Sequence, residues 1–109
     1  MNEQISEYLA KYPSEIVEMY HDIRRLIYDC ASAEPTETLW AKLPSYYAAE
    51  AFVRLIPFKD HINIEAKAVL EHREILSDYQ VTPKGMLQIF LKQELPVDAL
   101  KEIFAKTLG

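Results

Sequence analysis

Along the first third of the chain, apolar residues recur at steps of three and four. Ile5, Tyr8, Leu9 and Tyr12 fall at helical spacing after Asn2, which predicts a short opening helix. Pro13 and Ser14, with Glu15 in the first turn, mark the start of a second helix. Ile16, Met19, Tyr20, Ile23, Leu26, Ile27 and Cys30 then trace the core face of a long amphipathic helix over 15–31. The stretch Ser32–Glu37, "SAEPTE", reads as a loop, because Pro35 blocks continuation of the helix.

Beyond that loop the period drops from 3.6 towards 2. Leu39, Ala41 and Leu43 alternate with Trp40 and Lys42 in a strand that Pro44 ends. Ala51, Val53 and Leu55 alternate with Phe52, Arg54 and Ile56 in a second strand. Ile62 and Ile64 alternate with His61, Asn63 and Glu65 in a third. Lys59-Asp60 joins these last two as a hairpin, but the pair suits a tight two-residue turn poorly, so the connection reads as longer. Val69, Leu70 and Leu76 define a helix over 67–77, "VTPKG" (Val81–Gly85) a turn, and Met86–Leu91 a short buried strand. Pro96 stands just inside a last helix that carries Val97, Leu100, Phe104 and Leu108 on one face and ends at Gly109. The expected fold is therefore α+β, a small antiparallel sheet of about four strands with helices packed against it. Strands and helices do not alternate and no glycine-rich loop is present, which argues against a doubly wound nucleotide fold.

Composition narrows the class. A chain of 109 residues, half hydrophobic and 27% charged, suits a single globular domain over 1–109. Seventeen acidic residues against twelve basic ones give a net charge of -5, which argues against nucleic acid as a partner. No apolar run approaches the ~18 residues of a membrane span, and "MNEQISEYLAKYP" lacks the cationic start and apolar run of a secretory leader. The single cysteine, Cys30, leaves no internal disulfide, which fits a reducing cytoplasm.

Four motifs recur together in one order: "LPSY" (Leu43–Tyr46), the "FKDHINI" hairpin with Lys59 and His61, "KGMLQIF" with Lys84 and Gly85, and a closing "ELP" before the last helix. In that order they resemble the YdhG-like domains, bacterial proteins largely without an assigned role, over about Glu7 to Leu108. The resemblance implies one cytoplasmic α+β domain. For some members it implies frataxin-like handling of iron, with iron or an iron-accepting protein as the partner. The chain departs from the pattern at Lys42-Leu43, where a small residue and methionine are usual. It also lacks the proline expected soon after "HINIEA" and carries Leu91 where another proline often ends the "KG" strand.

Two sets of side chains could carry a binding function. Glu15, Glu18, Asp22 and Asp29 fall at spacings of three, four and seven, one stripe on the long helix, and Glu18–His21 forms an E-x-x-H pair one turn apart. With hard oxygen ligands such a stripe could hold iron loosely through Glu15, Glu18 and Asp22, with His21 as a fourth ligand. The same residues also read as a solvated face with Asp22, Arg25 and Asp29 exchanging charge along it. The second set is Tyr46, Lys59, His61 and Lys84, a cluster at the hairpin and the loop after Pro44 that could take a small anionic ligand. Its plainer reading is two solvated turn lysines and a strand-edge histidine. Cys30 lies in the apolar register of its helix and is a poor nucleophile. One cysteine and three scattered histidines lack zinc-site spacing. The expectation is a non-enzymatic binding protein: an iron carrier on the acidic helix, or a ligand or protein-interaction module at the hairpin.

Overall fold

The computed structural model describes Met1–Gly109. The opening helix α1 spans Glu3–Leu9, with Asn2 as its cap through a side-chain acceptor for the Gln4 N–H at 2.8 Å. The long helix α2 runs Ser14–Cys30 and buries Ile16, Tyr20, Ile23 and Ile27, the face that the three-and-four spacing marks. Six strands follow: β1 Thr36–Trp40, β2 Leu43–Ala48, β3 Ala51–Pro57, β4 His61–Ala66, β5 Gln80–Val81 and β6 Leu87–Phe90. They form one antiparallel sheet in the order β1-β2-β3-β4-β6-β5. A 3-10 helix, Lys67–Leu76, kinked at His72, connects β4 to β5, and α3 closes the chain at Val97–Leu108.

The α+β class is as expected, but the sheet has six strands rather than about four. The first extra strand arises because Leu39 to Leu43 is not one strand. The register pairs Trp40 with Leu43, so Ala41 and Lys42 are a two-residue hairpin turn, with φ of 49° and 67°. Pro44 does not end a strand but lies within β2. The pair Trp40–Leu43 closes the turn, so the next pair, Leu39–Pro44, asks no N–H of the proline. Pairing with β3 begins only at Ser45. The second extra strand, β5, is two residues long and sits at the edge beside β6. The expected β3–β4 hairpin is present; its register, Pro57 opposite Ile62, continues to Phe58 and His61, whose bond (Phe58 N–H to His61 C=O, 2.8 Å) closes a two-residue turn at Lys59-Asp60 rather than the longer connection expected.

All helices lie on one side of the sheet, with α2 and α3 against β3 and β4, α1 against β1 and the 3-10 helix against α3. On this side Tyr46, Val53, Leu55, Ile62, Ile64, Leu87 and Ile89 meet the helices in one continuous apolar core. Leu100, Phe104 and Leu108 point into it from α3, whereas Val97, expected on that face, is 39% exposed in the first turn.

Candidate functional site

The acidic stripe is only partly assembled. Glu15, Glu18 and Asp22 border one shallow depression of about 290 Å³, together with Leu91 and Gln93 beyond β6. His21 turns elsewhere, lining a separate depression with Ser6, Leu9 and Val17 on the α1 side. Asp22 is drawn to Arg25 at 3.3 Å, both exposed. Nowhere do three histidine, cysteine or acidic side chains converge closely enough to hold a metal ion.

The second set is dispersed. Tyr46 is not in a loop: it belongs to β2, faces the helices and is fully buried, its hydroxyl 2.6 Å from that of Tyr20. Lys59 and His61 stand at one end of β4. The Lys84 turn stands at the other, beside Glu65 and Ala66, about 17 Å along the strand. His61 is occupied locally. Its ring is stacked between Phe58 at 4.4 Å and Phe90 at 4.6 Å, and its Nδ1 meets Asp60 Oδ1 at 2.7 Å. The hydrogen bond to His61 outweighs the small desolvation of the Asp60 carboxyl and holds it below the usual carboxylate range.

What the fold builds instead is a cleft around Lys84, about 580 Å³, within the range of small-molecule sites. The chain turns at Thr82–Met86 between β5 and β6, with Gly85 N–H donating to Thr82 C=O at 2.8 Å and Met86 N–H to Thr82 Oγ1 at 3.0 Å. Gly85 has φ +90°, and a Cβ there would stand 3.2 Å from Leu70 Cγ. The bare glycine thus lets Leu70 lie against the turn, and Leu70 is itself 50% exposed, facing the cleft rather than the core. Lys67 and Lys84 border the opening, Phe52 and Glu65 form the sheet-side wall, and Glu50 lies at the β2–β3 turn.

That wall is held from behind. Phe52 and Glu65 belong to the sheet face that no helix covers, and Arg54 joins them. Its guanidinium lies 4.0 Å from the Phe52 ring and 4.1 Å from Trp40, and it donates to Ser45 Oγ (2.8 Å), Tyr47 Oη (3.0 Å) and Glu65 Oε1 (3.1 Å). Five partners leave Arg54 only 5% exposed and consume the charge of Glu65. Lys67 and Lys84 have no such partner, since the acids within ion-pair distance of a base all serve other groups. Thr107 Oγ1 accepts the Ala68 N–H at 3.3 Å and fixes the cleft floor to α3.

Of these residues only Lys84 is a candidate from sequence. Leu70 reads there as a helix core residue, and Phe52 and Glu65 carry no motif. The available signal was Arg54, a charged residue in a strand apolar on both faces. Compared with protein-family profiles, curated proteins and solved structures, the chain matches none. The YdhG-like resemblance accordingly rests on the order of its motifs.

Proposed function

We propose that the protein is a non-catalytic binding module whose site is the cleft between the Lys84 turn, the 3-10 helix and the β3–β4 wall. The observation that carries this reading is the exposed Leu70 in a cleft of about 580 Å³ that it lines together with two lysines without ion-pair partners. An exposed apolar side chain inside a concave, charged rim is what ligand sites offer, an apolar surface and a few polar groups to fix orientation. The one hydroxyl of the cleft lining, Thr107, accepts the Ala68 N–H at 3.3 Å, and Glu65 is bonded to Arg54 at 3.1 Å, so both are engaged in holding the fold. Iron on the acidic helix is the weaker reading, because Glu15, Glu18 and Asp22 border one depression without converging and His21 faces another.

Amide mapping by ¹H–¹⁵N spectra tests the assignment. Octanoate, octylammonium and 1,2-octanediol are titrated separately, and at least one is expected to shift Ala51, Lys67, Leu70 and Gly85 saturably. Shifts confined to other surfaces, or none with any of the three, reject the cleft as the binding site.

A further inference from the structure

Taking the cleft as the binding site, we infer that its ligand is a small organic anion, a carboxylate head on an apolar body, with the head at Lys67 and Lys84 and the body along Leu70 and Phe52. The charge distribution leads to this. The chain has five more acids than bases, yet the two lysines of the cleft have no carboxylate within 4.0 Å. Glu65, which lines the cleft with them, is already taken by Arg54 at 3.1 Å. Only Glu50 remains against two ammonium groups, so the cleft is locally cationic on an acidic molecule. At physiological salt, charges beyond about 8 Å are largely screened, so the local lysines outweigh the distant acids.

Lysine rather than arginine at both positions points the same way. Ammonium groups on flexible stems act as point charges and do not demand a planar, bidentate partner, so a carboxylate can be met from either side. The remaining surface decides the rest of the ligand. Ala51, Phe52, Ala66 and Leu70 line the cleft with apolar area, which a bare inorganic anion would leave wetted and unused. A methylene chain along them gains about 0.8 kcal/mol per buried CH₂, which converts to roughly fourfold in affinity.

The experiment compares octanoate, hexanoate, octylammonium, 1,2-octanediol and inorganic phosphate by calorimetry, with amide mapping alongside. Octanoate is expected to bind tightest, at least about tenfold more tightly than octylammonium, and hexanoate, two CH₂ groups shorter, about fifteenfold less tightly than octanoate. Lys67→Gln and Lys84→Gln are each expected to weaken octanoate about fivefold while leaving the melting temperature unchanged. If octylammonium or octanediol shifts the cleft amides and equals octanoate, the anion inference fails and the cleft survives as a site. If phosphate equals octanoate, the apolar body is wrong. If no compound shifts the cleft amides, both the inference and the site fall.

Discussion

Glu37 lies on the helix-facing side of β1, with its side chain only 8% exposed, where a carboxylate is costly unless fully engaged. It accepts from Arg24 Nε at 2.6 Å and Arg24 Nη2 at 3.3 Å, and from the Asn2 backbone N–H at 2.8 Å. Burial pushes its pKa up, but the Arg24, Asn2 and Tyr46 hydrogen bonds and the Arg24 charge outweigh it and leave the group below its ordinary value. Burial, then the Tyr20 hydroxyl 2.6 Å away and after it Glu37, push the Tyr46 hydroxyl far up, so Tyr46 stays neutral. A depressed carboxyl contributes stability that is complete above the unfolded-state value and is lost as the pH falls through the lower folded-state one. Acid destabilisation should therefore steepen as the pH drops below about 4.5. Glu37→Gln is expected to cost about 1–2 kcal/mol at neutral pH and to flatten the dependence of the urea midpoint on pH below about 4.5. A variant that keeps the parental slope would show that another acid carries it. This network was not visible in the sequence, because "SAEPTE" reads as a polar loop and nothing local announces that Arg24, thirteen residues earlier, folds back onto Glu37.

At the scale of elements, periodicity located what is long and turn chemistry hid what is short. The helices α2 and α3 and the β3–β4 hairpin were legible because their apolar spacing persists over enough residues to fix a face. The β1–β2 hairpin was not, because its turn is Ala41-Lys42 where Asn-Gly or Asp-Gly would be expected. Leu39, Ala41 and Leu43 then alternate across the turn as if they were one strand. Placing Tyr46 in a loop follows from the same error, and with it the Tyr46, Lys59, His61 and Lys84 cluster. Two non-glycine residues at positive φ cost roughly 1–2 kcal/mol each when the side chain has no local hydrogen bond to offer. The double substitution Ala41→Asn, Lys42→Gly should consequently stabilise the protein by about 1–2 kcal/mol, read as a higher urea midpoint with unchanged slope. No gain would mean that the turn is held without strain and that the register, rather than the loop, sets its geometry.

For the whole molecule the question is what replaces a second helical layer. The sheet has six strands and helices on one face only, so β2, β3 and β4 present a face that burial on the other side does not protect. Arg54 answers this in the centre of the face. Clamped between Trp40 and Phe52 and bonded to Ser45, Tyr47 and Glu65, it joins β1, β2, β3 and β4 and keeps water from the strands beneath. Planarity matters here, since a guanidinium stacks on two rings at once and an ammonium does not. Arg54→Lys preserves charge opposite Glu65 but loses both stacking faces, and Arg54→Met preserves packing volume but loses every hydrogen bond. Each is expected to cost about 2 kcal/mol. Trp40 is the only tryptophan, so its fluorescence reports the clamp directly while far-ultraviolet dichroism reports the sheet. Both probes should shift together in the two variants. Octanoate binding should weaken as well, because Phe52 and Glu65 are at once the partners of Arg54 and the wall of the cleft. If Arg54→Lys matched the parent in stability, the face would be held by charge alone and the stacked rings would be its surface. If stability fell and octanoate affinity held, the cleft wall would be independent of the clamp, and Arg54 would serve the sheet without serving the site.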